Sequence, residues 1–223
     1  REKFLKLDSD PTVKRENSLR NFLCGLKRKK LFDEITYKML YPTGSQPARL
    51  YGLPKMHKLK PGEKNPTLRP IVSSLGTFNY NLAKYLNDLL TPLLATEYCA
   101  KDTFTFIEDV RRASISGKFM ISFDIESLFT NVPLEETIGL AVDLIHKSKG
   151  NKFSRPQLTK LFKYATSMTH FSFNGSIYDQ VDGVAMGSPL GPTLANVFMG
   201  HHESRWLHEF DACKVVMYRR YVD

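Results

Sequence analysis

Two β-prone stretches, each ending on an aspartate, set the tightest limit on how this chain can fold. In Lys118-Phe-Met-Ile-Ser-Phe-Asp124, the apolar residues Phe119, Ile121 and Phe123 fall on one face. Cys213 to Asp223 alternates Val215 and Met217 against Val216, Tyr218 and Arg220, again as a strand would. Helical patterns and a hairpin separate the two stretches, so an open sheet is needed to bring their ends together. Two carboxylates on adjacent strand ends repel unless a divalent metal bridges them, and such a pair is what in-line phosphoryl transfer by two magnesium ions requires. Taken singly, each aspartate is an ordinary strand-end or turn residue.

The remaining composition narrows the class. With 42% hydrophobic and 25% charged residues over 223 positions, the chain reads as ordinary globular protein with a sizeable core. No stretch approaches the roughly 20 apolar residues that cross a bilayer, and Arg1-Glu-Lys-Phe-Leu-Lys6 has no signal-peptide core, so a soluble, intracellular protein without membrane contact is expected. Cys24, Cys99 and Cys213 are isolated and odd in number, which fits buried free thiols. The net charge is +9, but residues 1 to 75 hold 17 Lys/Arg against 7 Asp/Glu, a balance of +10, so the rest of the chain balances at −1. A basic lobe followed by a neutral one suggests that one part grips a polyanion. Within it, Lys27-Arg28-Lys29-Lys30 is a candidate nucleic-acid contact, the competing assignment being a solvated helix end near Gly25.

Local signals divide the chain. Residues 14 to 40 carry a loose helical stripe, whereas residues 41 to 70 hold six prolines and three glycines and predict short strands with loops. Leu82, Ala83, Leu86, Leu89, Leu90 and Leu93 predict an amphipathic helix over 80 to 94, and Asp102 is placed to cap the next one. Pro133 opens a helix running to about His146, with Glu135 and Glu136 in its first turn. Ser154-x-x-Gln157 resembles a capping box, Asn174-Gly175 predicts a type I′ hairpin, and residues 190 to 209 are helical again. The histidines lack ligand spacing: His201 and His202 are adjacent, and His57, His146, His170 and His208 are scattered.

Five strings in order then carry a resemblance: Leu50-Tyr-Gly-Leu-Pro-Lys-Met-His-Lys58, Leu68-Arg-Pro-Ile-Val-Ser-Ser74, Ser122-Phe-Asp-Ile-Glu-Ser-Leu-Phe-Thr-Asn-Val-Pro133, Gly183-Val-Ala-Met-Gly-Ser-Pro-Leu-Gly-Pro-Thr-Leu-Ala-Asn196 and Tyr218-Arg-Arg-Tyr-Val-Asp223. Together they resemble a reverse transcriptase, and more narrowly the Penelope-like retroelement polymerases, over most of the chain from about Pro11. The resemblance implies an α/β (α+β) fold: polymerase fingers and a partial palm, with a small antiparallel sheet backed by helices. Residues 1–75 would be a basic fingers and N-terminal region, and 76–223 the remaining fingers and partial palm. It implies an RNA-directed DNA polymerase working in the nucleus, with RNA template, DNA primer, deoxynucleoside triphosphates and two Mg2+ ions as partners.

The roles implied follow position by position. Asp124 and Asp223 match catalytic, metal-binding aspartates, and Ile125 the residue whose carbonyl helps hold a metal. Phe129 falls at the steric-gate position, with core packing as the competing assignment. Lys55 and Arg69 match residues that clamp the incoming triphosphate, Arg69 being aimed by Pro70. Gly187 matches a loop beneath the nucleotide, where glycine permits close backbone approach, and Ser188 and Pro189 belong to the same nucleic-acid-facing loop. Three departures accompany these matches. Met186 stands where many relatives have glutamine, the Lys55 to Arg69 spacing is long, with Pro61-Gly62 expected to form an extra turn, and the second aspartate, return strand and thumb would follow Asp223. The chain is therefore expected to be a fragment, with a non-catalytic nucleic-acid-binding module as the alternative.

Overall fold

The computed structural model describes residues 4–56, 59, 62, 65–94, 97–114, 116–126, 128–181, 183–209 and 215–221. Its sheet has five strands: β1 (Phe4–Leu7), β2 (Ala48–Pro54), β3 (Leu68–Ser73), β4 (His170–Phe173) and β5 (Ser176–Gln180), in the order β1-β5-β4-β2-β3. All neighbours are antiparallel except β2 and β4, which pair in parallel over Ala48–Arg49 and Phe171–Ser172. The helices are α1 (Thr12–Arg28), α2 (Glu34–Leu40), α3 (Tyr80–Leu90), α4 (Thr103–Arg112), α5 (Leu128–Asn131), α6 (Leu134–Lys147), α7 (Arg155–Thr166) and α8 (Gly191–Glu209). A mixed α/β fold with helices backing a sheet is thus present.

The local signals act where their chemistry requires. Asp102 accepts a hydrogen bond from the Thr105 amide at 2.8 Å, and Ser154 with Gln157 forms the capping box that starts α7. Asn174 and Gly175 both have positive φ, 46° and 73°, as the two-residue turn between β4 and β5 demands. The predicted helix over 14 to 40 is instead two. Lys30 takes φ 58°, while its amide reaches the Lys27 carbonyl at 2.8 Å and the Leu31 amide reaches that of Leu26 at 3.2 Å. That is a Schellman stop, and it returns Leu31 to the core. The helix over 80 to 94 ends earlier, at Leu90, because Pro92 cannot extend the ladder and a 3-10 turn (Thr91–Leu93) follows.

One core joins the helices. Leu19, Leu23 and Leu26 of α1 pack with Leu82, Leu86 and Leu90 of α3, Ile138, Ala141 and Val142 of α6, Leu158, Leu161 and Phe162 of α7, and Leu194 of α8. A smaller cluster of Ala48, Val72, Phe171 and Ala185 lies against the sheet. Elements from both sides of residue 75 share the sheet and the core.

Neither of the two expected strands appears among the described residues. Residues 118–124 make no ladder, and Phe119 and Phe123 stand 97% and 80% exposed. A strand is held by a neighbour's backbone, and among the described residues none pairs with this segment, so alternation alone leaves it irregular. Residues 215–219 are likewise irregular, and a single bridge pairs Arg220 with Cys99. The sheet is built instead by β1 to β5, and β1 carries no sequence signal strong enough to predict it. Cys24 and Cys99 are free thiols, half-buried rather than fully buried; Cys213, His57 and Pro61 lie outside the described residues.

A polar cluster anchors the N-terminal segment to the β4–β5 hairpin. Arg15 makes a two-pronged ion pair with Asp179, both contacts at 2.6 Å, and its Nη1 lies 3.2 Å from Nδ1 of buried His170. A guanidinium only donates, so Nδ1 is the unprotonated nitrogen and Nε2–H donates to Thr12 Oγ1 at 2.7 Å. Thr12 in turn donates to Asp10 Oδ1. Burial, then the nearby Arg15 charge, holds the His170 pKa below its ordinary 6.5. The unfolded chain therefore binds a proton that the folded chain refuses, and stability should fall as pH drops below about 6.5. Thermal melts between pH 5 and 8 should show this loss, and His170→Gln should flatten it. An unchanged pH slope in the variant would free His170 of this role.

Candidate active site

The β2–β3 hairpin carries the first part of the site. Its register pairs Leu53 with Arg69 and Tyr51 with Ile71, and the Lys55 amide extends the pairing to the Thr67 carbonyl at 2.8 Å. With two-residue alternation, Lys55 and Arg69 lie on one face as diagonal neighbours, typically about 7–8 Å apart at this offset. Arg49, on the same face of β2, adds a third cation. Ala48 and Val72 occupy the opposite face and pack against Phe171 and Ala185. Among the described residues the side chains of Arg49, Lys55 and Arg69 make no hydrogen bond or ion pair. A compact ammonium and a forked guanidinium on one open face suit a polyphosphate. Gly62, with φ 89°, has a turn conformation in the longer connection between them.

The loop from Gly183 to Leu190 straps this hairpin to α5. At one end the Val184 amide donates to the Phe129 carbonyl at 2.8 Å, and a Cβ on Gly183 would lie 2.9 Å from the Thr130 carbonyl oxygen. At the other end Val72, on the outer edge of β3, donates to the Met186 carbonyl at 2.8 Å, and Ser74 Oγ donates to the Gly187 carbonyl at 2.8 Å. Gly187 has φ 123°, and a Cβ there would meet the Val72 carbonyl oxygen at 2.3 Å. Both glycines are needed because backbone lies on backbone. Met186 acts through its carbonyl, so exchanging its side chain leaves this contact in place. Ser188 and Pro189, half-buried, complete the loop before α8.

Asp124 lies on the irregular segment before α5. Its carboxylate is exposed and makes no hydrogen bond or ion pair among the described residues. Ile125 and Phe129 are half-buried against the main core, and Leu128 between them is buried, so the segment is pinned on both sides of the turn. Asn131 Nδ2 holds that turn by donating to the Glu126 carbonyl at 3.1 Å. Phe129 therefore has a packing role whatever else it does. The structure thus brings Phe129, Gly187 and the strand of Arg69 together. Asp223, and with it the expected juxtaposition with Asp124, lies outside the described residues. Among the described residues no group of three or more His, Cys, Asp or Glu converges on one point. The Asp124 carboxylate and Ile125 carbonyl are hard oxygen donors, the chemistry magnesium takes.

Lys27 to Lys30 lies at the end of α1. Lys27 pairs with Glu34 at 2.8 Å and lies 4.2 Å from the centre of the Tyr37 ring, while Arg28, Lys29 and Lys30 are exposed. Lys27 is thus engaged within the fold, while the other three cations present their charge at the helix end.

One cluster escaped sequence reasoning. Glu203 of α8, 2% exposed, holds Arg220, 5% exposed, with Nε 2.5 Å from Oε1. Asn196 Oδ1 accepts from Arg220 Nη1 at 3.0 Å, and the Tyr218 hydroxyl donates to Glu203 at 2.8 Å. Burial, with the hydrogen bond to Glu203, pushes the Tyr218 hydroxyl up to about 12. A glutamate beside two histidines in a helix gave no hint of burial, and nothing local links it to a segment 17 residues on.

The strap predicts a sharp mutational outcome. Gly187→Ala should lower stability by about 2 kcal/mol or more, since backbone at 2.3 Å must move. Gly62→Ala, where nothing lies within 4 Å, should cost only the strain of its positive φ. Equal melting temperatures for the two variants would contradict the close approach.

None of the curated proteins matches the chain by sequence. A family model described as reverse transcriptase (RNA-dependent DNA polymerase) matches residues 13–223. That match spans the hairpin, the strap, Asp124 and the segment ending in Asp223, and with it the chain belongs to the reverse transcriptase family, the RNA-directed DNA polymerases.

Proposed function

We propose that this chain forms the fingers and part of the palm of a Penelope-like retroelement reverse transcriptase, extending a DNA primer on an RNA template by two-metal nucleotidyl transfer. The observation that carries the reading is the strap, which ties Phe129 to the hairpin bearing Lys55 and Arg69 through backbone contacts of 2.8 Å. In this reading residues 1–75 are the basic fingers and N-terminal region and residues 76–223 the remaining fingers and partial palm. Among the described residues no helix is long and apolar enough to cross a membrane, and the reading places synthesis in the nucleus.

Each residue has a task in this reading. Arg69 and Lys55 hold the triphosphate of the incoming deoxynucleotide from one face of the hairpin. Phe129 meets the 2′ position of the sugar and disfavours ribose by repulsion. Gly187, lacking a side chain, lets the nucleotide and template approach the strap, with Ser188 and Pro189 continuing that surface. Asp124, the Ile125 carbonyl and Asp223 would hold magnesium, which when bound lowers the pKa of the primer hydroxyl and stabilises the leaving pyrophosphate. Duplex affinity rests on phosphate contacts from the basic region, including Arg28, Lys29 and Lys30, and is separable from the chemistry.

Two measurements on the full-length polymerase test this. Asp124→Asn should reduce primer extension on RNA to background while duplex affinity changes by no more than about twofold, because binding draws on cations elsewhere. Extension at the parent rate would defeat the assignment, and duplex binding without synthesis by the parent protein under any metal condition would favour a non-catalytic binding module. Phe129→Ala should admit ribonucleotides, lowering the deoxy-to-ribo preference by roughly tenfold to a hundredfold. An unchanged preference with a lowered melting temperature would leave the ring a core residue alone.

A further inference from the structure

We propose that the Glu203–Arg220 pair is a positioning device that sets where the segment leading into Asp223 sits relative to the strap. This rests on the reading of Asp223 as a metal-binding residue. Among the described residues, 215–221 make one backbone bridge to the rest of the fold, with the Arg220 amide donating to the Tyr98 carbonyl at 2.7 Å and the Ala100 amide to the Arg220 carbonyl at 2.8 Å, and Arg219 pairs with Asp109 at 2.9 Å. One bridge does not define a strand's register, which needs a run of paired residues. The side chain supplies the definition. Arg220 reaches Glu203 Oε1 at 2.5 Å and Oε2 at 3.4 Å, Asn196 at 3.0 Å and Cys99 Sγ at 3.4 Å.

Three of these four acceptors, the two Glu203 oxygens and Asn196 Oδ1, share one rigid element. Asn196 and Glu203 are seven residues apart, two turns of α8, and so lie on one face. That helix begins at Gly191, whose amide donates to the Ser188 carbonyl of the strap at 3.1 Å. A single helix therefore carries the nucleotide-facing loop at its start and grips the approach to Asp223 further along. Asp223 follows Arg220 by three residues, a span of at most about 10 Å, so the placement of Arg220 limits where that carboxylate can lie. Positional errors of about an ångström in reacting groups can cost a hundredfold in rate.

Simple core filling would favour a different residue pair. Two apolar side chains fill such a volume without the cost of desolvating two charges, whereas a forked guanidinium with four acceptors specifies rotation as well as position. The Tyr218 hydroxyl on the same carboxylate, and the Tyr98 ring against Tyr218 at 5.8 Å, extend that specification two residues back.

The test separates position from stability in the full-length polymerase. The Glu203→Leu/Arg220→Met double variant should regain the parent melting temperature and keep its dNTP KM and duplex affinity, while kcat for primer extension stays about tenfold to a hundredfold low. Should that variant fail to fold, Arg220→Lys, which keeps the charge but not the fork, should show the same kcat-only loss, with faster hydrogen exchange at the Arg220 and Ala100 amides. Full kcat in either folded variant would overturn the proposal. Asp223→Asn is the separate control: parent-level synthesis by that variant would defeat the underlying assignment whatever the pair does, whereas an inactive Asp223→Asn beside a fully active Arg220→Lys would defeat the positioning role alone.

Discussion

The candidate site depends on one loop lying directly on two backbones. Gly183 rests against Thr130 and Gly187 against Val72, at separations that a Cβ would violate. Only Val184, Ala185 and Met186 separate the two glycines, so the distance between the Phe129 turn and the edge of β3 is governed by a short length of chain rather than by adjustable side chains. Backbone hydrogen bonds at both ends fix the loop's orientation. Met186 is accommodated because its task there belongs to its carbonyl.

The strap also solves a problem of edges. β3 ends the sheet, and its Val72 amide would otherwise face outward unpaired. Pro70, two residues earlier on the same side of the strand, has no amide to satisfy, while Val72 finds the Met186 carbonyl. The same physics explains the contrast with residues 118–124 and 215–219. These have strand-like alternation, yet among the described residues no neighbouring backbone completes a ladder for them. Where a ladder is missing, Glu203 of α8 anchors Arg220 through a buried ion pair beside its one bridge.

Net charge proved a coarse guide to where cations are available. Of the basic residues in the first 75 positions, Arg15 is held by Asp179, Arg20 by Glu16 and Lys27 by Glu34. Such cations hold the fold together and have little field to offer a polyanion. Arg49, Lys55 and Arg69 share one open face of the hairpin, and there the absence of nearby carboxylate partners among the described residues leaves their charge uncompensated.

What the sequence determined by itself were features whose cause lies within about four residues. The Asp102 cap, the Ser154–Gln157 box, the Asn174–Gly175 turn and the apolar stripes of α3, α6 and α7 are such features, since the hydrogen bonds close between neighbours in the chain and the stripes follow local periodicity. The order of motifs likewise marked Asp124, Phe129, Arg69 and Gly187 as one set. Tertiary structure alone decided which strands exist, that four residues at the N-terminus join β5, that Phe129 and Val72 are bridged by one loop, and that Glu203 is buried against Arg220. Each of these is settled by a partner many residues away, and periodicity in one segment carries no information about whether another segment's backbone or charge arrives to meet it.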